Sequence, residues 1–412
     1  MTIELQPASE TDAVVGTPDF VAAGAAILDE LVALRRDIHA EPEIGLDLPN
    51  TQAKVLAALQ GLDLEITTGE ALTSVVAVLR GGKPGPSVLL RGDMDALPVV
   101  EQTGLEYAST NGAMHACGHD LHTSSLVGAA KLLAAHQGDL PGDVIFMFQP
   151  GEEGQGGAKI MLDEGLLDVA GERPVAAFAA HVAPAPHGFM GTRPGPVMAG
   201  SNHLTVTVHG RGGHGSQPHQ TIDPVPVAAE IVLALQTFVT RRFDAFDPIV
   251  LSVTGLQAGG TAFNVIPEHA ELHATVRTMS AASLERLQAE LPRLAEGIAS
   301  AHGCTADVLF EVMYPVTVND PAETAAAVAT LEETFGPHRL MPLPTPQMGS
   351  EDFSFVLDEV PGTFVMFGAA PVGQDLRTAE FNHSPRVIFD DAVLGDEAAA
   401  LAALAWARLA RG

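Results

Sequence analysis

The feature that most constrains the fold is a run of six elements in the middle of the chain. From about residue 202, "HLTVTVH" alternates Leu204, Val206 and Val208, the period of a half-buried strand. "DPVPVAAEIVLALQTFVTRRF" predicts a helix and "IVLSVT" and "ELHATVR" predict strands. "SAASLERLQAELPRLAEGIASAHG" repeats Leu284, Leu287, Leu291, Leu294 and Ile298 at helical spacing, and "TADVLFEV" closes the series as a strand. The order β-α-β-β-α-β is that of a ferredoxin-like unit, self-contained at roughly this size. Residues 202–312 therefore read as a small domain inserted into a larger one, made of residues 1–201 and 313–412.

The flanking chain reads as α/β. "TPDFVAAGAAILDELVALRRDIHAEPE" offers Thr17 as N-cap and Pro18 at the first helical position, followed by Ile27, Leu31, Leu34 and Ile38 on one face. Short apolar runs follow, "SVVAVL", "SVLLR" and "DVIFMF", separated by turns such as "RGGKPGP" and by the helical segment "SSLVGAAKLLAAH". Strands alternating with helices predict a layered sheet. The Ala-rich "GDEAAALAALAWARLA" predicts a closing helix.

Charge and cysteine usage narrow the function. A formal net charge of -30 repels nucleic acid and anionic membrane surfaces. The opening "MTIELQPASETDAVVG" lacks the basic and apolar blocks of a secretory signal, and no apolar stretch is long enough to span a bilayer. A soluble cytoplasmic protein is expected. Its two cysteines, Cys117 and Cys304, are too few for a disulfide framework and should stay reduced there.

Chemistry concentrates in four short segments. "ACGHD" sets Cys117 two residues before His119, and a thiolate and an imidazole at that spacing can share one cation. "FQPGEEGQGGAK" places Glu152 and Glu153 just after a predicted strand, where open α/β sheets put their ligands. Adjacent carboxylates point in different directions, so one can bind a metal while the other faces the water beside it. His181 ends the apolar run "AAFAAHVAP", and His383 lies in "FNHSP". Alone, each is an ordinary histidine; together the segments supply one thiolate, three imidazoles and a carboxylate, a set that suits zinc. A cysteine nucleophile, Cys117 activated by His119 or His122, is the rival, although it leaves Glu152 and Glu153 without a role. The glycine-rich "GEEGQGG" lacks the Gly-Lys-Ser/Thr of a phosphate loop, and no G-x-S-x-G elbow occurs.

The order of motifs resembles the M20 metallopeptidase and amidohydrolase family, in the branch of N-acyl-amino-acid amidohydrolases, hippurate hydrolase and auxin-conjugate hydrolases. The likeness runs through "LRRDIHAEPEIG", "LLRGDMDALPV", "MHACGHDLHTSSLVGAAKLL", "FQPGEEGQGGAKIMLDEGLL", "GRGGHGSQPHQTIDPV", "GGTAFNVIPEHAELHATVRT", "GSEDFSF" and "FNHSP". It implies a mixed-sheet catalytic domain binding two divalent metal ions, zinc first and manganese, cobalt or nickel as alternatives. It also implies that the inserted domain is a lid that forms a homodimer or a higher homo-oligomer. By motif, Cys117, His119, Glu153, His181 and His383 would be the ligands and Glu152 the general base. Asp95 would orient a ligand histidine or bias the site's charge, and Asp93 stands where other branches carry a metal histidine. His214 and Asn264 match positions that hold the substrate carbonyl, His214 from the neighbouring subunit, and Arg277 matches one that grips a free carboxylate. The implied reaction is hydrolysis of an N-acyl amino acid, with a dipeptidase or carboxypeptidase of the same fold, or a non-catalytic dimer scaffold, as alternatives. His39, His136, His203, His209, His219, His302 and Cys304 read as structural, and His122 as a partner to a ligand.

Overall fold

A computed structural model describes residues 17–412; the opening segment, in which no secretory signal is expected, lies outside them. Eight strands form one mixed sheet. Its centre is parallel: Pro141–Gln149 and Ala176–Ala183 flank Lys83–Asp93, and Gly362–Gly368 adds beyond Ala176–Ala183. Val75–Leu79 and then Glu65–Thr68 extend it by antiparallel pairing on one side; on the other, Met190–Thr192 pairs antiparallel with Gly362–Gly368 and Leu340–Pro342 pairs parallel with Met190–Thr192.

The central strands are near-continuous apolar runs because both faces are covered. Val75, Ala77 and Leu79 enter one core while Val76 and Val78 enter the other; Val144, Phe146 and Phe148 divide from Ile145 and Met147 in the same way. The first core is roofed by helices His119–Ala134 and Leu394–Ala410, the second by Gly157–Asp163 and Ser354–Glu359. From Lys83–Asp93 the chain goes to the strand on one side, and from Ala176–Ala183 it goes to Gly362–Gly368 on the other. That reversal opens a crevice between the carboxyl ends of the two strands.

Residues 200–314 form a second, four-stranded antiparallel sheet: Val250–Ala258, His269–Thr278, Gly200–His209 and Thr305–Tyr314 in spatial order. Helices Pro224–Arg242 and Ala281–Ala301 cover one face, burying Ile231, Leu235, Leu287 and Leu291 against Leu204, Val206, Leu272 and Val276. The first and last strands are neighbours, with Ser201 opposite Tyr314, so the chain enters and leaves this unit at one place.

Two local expectations are corrected. The first helix is capped by Asp19, whose side chain accepts from the Ala22 amide, rather than by Thr17, and it breaks at Ile27 into Phe20–Ala26 and Leu28–Ala40. The "KPGP" stretch, expected as a turn, belongs to the strand Lys83–Asp93, where the register jumps from Lys83 opposite Pro141 to Ser87 opposite Asp143.

Candidate metal centre

Several of the candidate side chains sit at or just beyond carboxyl strand ends. Lys83–Asp93 delivers Asp93 and Asp95, Pro141–Gln149 leads into Glu152 and Glu153, and Ala176–Ala183 carries His181. Cys117 and His119 flank Gly118, which caps helix His119–Ala134 in the left-handed region at φ 85°. A Cβ at Gly118 would lie 2.3 Å from Val182 Cγ2, so only glycine lets this turn pack against the strand bearing His181. His383, at φ 72°, is the one non-glycine described residue with a positive φ. Strain of that kind concentrates where a side chain must be aimed.

The five side chains converge. Cys117 Sγ is 3.5 Å from His181 Nε2, and His383 Nε2 is 3.1 Å from Glu153 Oε1. Donor atoms lie within 4.8 Å of one another in the groups Cys117/His119/His181, Cys117/Glu153/His383 and His119/Glu152/Glu153. His119 Nδ1 donates to the Asp95 carbonyl at 2.9 Å and His181 Nδ1 to the Val182 carbonyl at 2.8 Å. Both imidazoles thus turn Nε2 toward the cluster, the nitrogen that would present its lone pair to a metal once its proton is displaced. His119 Nε2 is buried with no hydrogen-bond partner, an orphan that a cation would satisfy. The donor set of thiolate, imidazoles and carboxylate therefore fits divalent cation binding.

The electrostatics agree. Burial would raise the Cys117 thiol, yet the imidazoles of His181, His119 and His383 outweigh it and hold it well below its ordinary range. Burial disfavours charge on His181, but Cys117 overcomes this and lifts it to about 9. Hydrogen bonding to Cys117 and Glu153 lifts His383 to about 10. Glu152 goes the other way: burial, then the charges of Glu351, Glu153 and Asp352, raise it well above the carboxylate range. The adjacent imidazoles favour the thiolate form of Cys117, while burial and the neighbouring carboxylates favour the protonated form of Glu152.

Supporting residues fix this geometry. The Asp95 carboxylate accepts from the backbone amides of Glu152 and Glu153, both at 3.0 Å, and its carbonyl accepts the hydrogen bond from His119 Nδ1. Asp93 pairs with Arg91 and His122, each at 2.6 Å. His122 Nδ1 donates to Asp93 while Nε2 accepts from the Val182 amide at 2.8 Å, so both ring nitrogens are engaged and neither is free for a metal. Three residues with no individual role in the sequence reading belong here. Arg91, fully buried, also binds Glu351 and Asp352, and Asn382 donates to the carbonyls of Cys117 and Val182. Tyr314 donates its hydroxyl to the Glu152 carbonyl at 2.5 Å. No local pattern marks them, since their partners are distant in sequence.

A cavity of about 800 Å³ opens over the cluster, and Glu152, Arg277, Ser201 and His203 also line it. Arg277 is half-buried and hydrogen-bonded to Ser201 and Thr275, at 2.7 and 2.9 Å, with no carboxylate partner among the described residues. His203, read from sequence as structural, is exposed on this wall. His214 and Asn264 are not brought to the cavity. They are exposed in the short ribbon of Gly213–His214 and Val265–Ile266, where the Gly215 amide donates to the Asn264 carbonyl. Ser216 donates its amide to His214 Nδ1, which leaves Nε2 as an outward-facing donor. Cys304 lies in the core of the second unit, and His209 and His302 pair with Asp307 and Glu230.

Comparison with known proteins gives a consistent set. Residues 89–407 match peptidase family M20/M25/M40. The chain is 37% identical over 396 residues to thermostable carboxypeptidase 1 of Saccharolobus solfataricus, covering 93% of this chain and 95% of that one. It is 37% identical over 341 residues to the N-acetylcysteine deacetylase of Bacillus subtilis, covering 82% and 88%. A solved structure from Bacillus subtilis, described as a dinuclear metal-binding peptidase of the M20 family, superposes with a TM-score of 0.79 at 33% identity over 93% and 99% of the two chains.

Proposed function

The chain belongs to peptidase family M20/M25/M40 and is a metal-dependent amidohydrolase, and from that premise we propose that it cleaves the amide bond of N-acyl amino acids to give a carboxylic acid and a free amino acid. The observation that carries this reading is a single cavity lined by Glu152, by four of the five candidate ligands and by Arg277. Cys117, His119, Glu153, His181 and His383 would hold two divalent ions, with zinc the first choice for thiolate and imidazole donors and manganese, cobalt or nickel as alternatives. When bound, such ions supply a lowered water pKa and a polarised carbonyl.

The chain's own residues do the rest. Glu152 takes a proton from the attacking water and returns it to the leaving amine; its raised proton affinity makes it a good carrier, and the incoming positive charge frees it to act as a base. Asp95 holds the Glu152 and Glu153 backbones so that one carboxylate faces the ligand cluster and the other the substrate. Arg277, aligned by Ser201 and Thr275, pairs with the amino acid's free carboxylate.

The unit of residues 200–314 acts as a lid and dimerisation domain in this reading. Its two attachment strands lie side by side, the arrangement of a hinge. His214 and Asn264, exposed and outside their own cavity, would serve a second copy's site by donating to the scissile carbonyl. A cytoplasmic setting suits the two free thiols.

The carboxypeptidase relative favours a second reading in which the acyl group is a peptide, because Arg277 would grip a C-terminal carboxylate equally well. Hydrolysis of an acylated amino acid and of the matching dipeptide, each with and without a chelator, tests both. Glu152→Gln should lose roughly 10²–10⁴-fold in kcat while its metal content is unchanged. Chelator-insensitive turnover, or an active Glu152→Gln variant, would sink the mechanism.

A further inference from the structure

The non-polar wall of the cavity is built largely from methionine. Its volume of about 800 Å³ falls within the roughly 300–1,000 Å³ of pockets that enclose drug-sized ligands. Four of the chain's twelve methionines, Met198, Met313, Met348 and Met366, line it together with Phe381. They come from separate segments, so no helical or strand periodicity gathers them.

Local structure aims several of them. Met366 is in register with His181 on the adjacent parallel strand, which puts both side chains on one face of the sheet. Met313 is the unpaired residue of a bulge, because Val312 lies opposite Asn202 and Tyr314 opposite Ser201; bulges beside active sites re-aim side chains. Met198 is buried, and a Cβ on Gly349 would come within 3.0 Å of its Cε, so the glycine leaves it room. Met348 and Phe381 are 44% and 63% exposed at the mouth. Apolar surface left in water around a polar reaction centre is surface that an apolar ligand would cover.

We propose that the preferred substrates carry a large apolar acyl group rather than an acetyl, and that Met198, Met313, Met348, Met366 and Phe381 determine this specificity. The inference rests on the hydrolysis of N-acyl amino acids proposed above. Arg277 is the one arginine or lysine lining the cavity, so it takes the carboxylate end and leaves the acyl end to the methionines. An acetyl group presents a single methyl and would leave this wall wet. The unbranched thioether side chain adapts to different shapes, so the wall selects apolar bulk and accepts both straight-chain and aryl groups.

The test compares kcat/KM for N-acetyl-, N-octanoyl- and N-phenylacetylglycine, with N-acetylleucine as the control for apolar bulk on the amino-acid side. Each buried methylene is worth about fourfold, so burying only about three of the six that octanoyl adds to acetyl gives roughly 60-fold in its favour. Met313→Ser with Met348→Ser should cut that ratio at least tenfold. Should the double variant fail to fold, Met348→Ser alone, on an exposed loop, should still lower the ratio. An acetyl substrate as good as the octanoyl one, or a gain that follows the amino acid instead, overturns the specificity and leaves the hydrolase reading standing. If none of the substrates is turned over, the hydrolase reading fails, and calorimetry of octanoylglycine against acetylglycine still decides whether the wall binds apolar chains.

Discussion

Glu397 gives a stability prediction that can be worked through from the structure. It lies in helix Leu394–Ala410, fully buried, with Oε2 accepting from Ser125 Oγ at 2.9 Å and Oε1 without a partner. Burial raises its carboxyl from the ordinary 4.5 to about 7. In the unfolded chain the group loses its proton near 4.5, while in the folded chain it keeps it until about 7. Between those values the native state binds more protons, so stability falls as pH rises. At about 1.4 kcal/mol for each pH unit of offset, the fold is roughly 3 kcal/mol less stable above pH 7 than below 4.5 on account of this one group. Glu397→Gln cannot ionise and keeps an acceptor for Ser125. Its stability relative to wild type should therefore climb by about 2.5 kcal/mol between about pH 5 and pH 8. Trp406, the only tryptophan, is buried on the same helix, so urea melts followed by its fluorescence report the right transition. Both proteins are measured at equal metal loading, so that metal binding cancels in the difference. A difference that does not change with pH would refute the argument.

Two further outcomes test the site. Asp95→Asn replaces an acceptor of two amides with a group that can accept one and opposes the other, so metal affinity should fall roughly 10–100-fold, read by chelator competition, with kcat falling alongside. If His214 serves a neighbouring copy, mixing inactive Glu152→Gln with inactive His214→Ala and allowing subunits to exchange should restore up to about a quarter of the activity, because one site in four then carries both intact residues; no recovery in a sample shown to have exchanged would place His214 outside catalysis.

What the sequence discloses follows from how local each signal is. The central strands are legible because burial on both faces leaves uninterrupted apolar runs, as at Val75–Leu79. The edge pieces Glu65–Thr68, Met190–Thr192 and Leu340–Pro342 are three or four residues long and leave no period to detect. Cys117 and His119 are readable as a pair because one glycine separates them, whereas nothing near Arg91 announces Glu351 and Asp352, far along the chain. Charged residues in sequence read as solvated by default, so a buried network of them is the hardest feature to foresee. The methionine wall is hidden for a similar reason: a methionine in a strand reads as core, and neither the bulge that turns out Met313 nor the register that sets Met366 beside His181 is written in the local sequence.

That buried network also bears on why the site should need cations. Asp93, Asp95, Glu152, Glu351 and Asp352 are all at least nine-tenths buried in one region, and Arg91 is the single guanidinium that contacts three of them. Burying carboxylates beyond the charge available to balance them is costly, and proteins resolve the imbalance by protonation or by bringing in positive charge. Here the first route is visible in Glu152 and Asp352, both pushed toward the protonated form, by burial first and by neighbouring carboxylates besides. Two divalent ions held by Cys117, His119, Glu153, His181 and His383 would supply the second. On the proposed assignment the excess acid would be the electrostatic counterpart of the ligand set, and it would couple metal loading to the proton on Glu152.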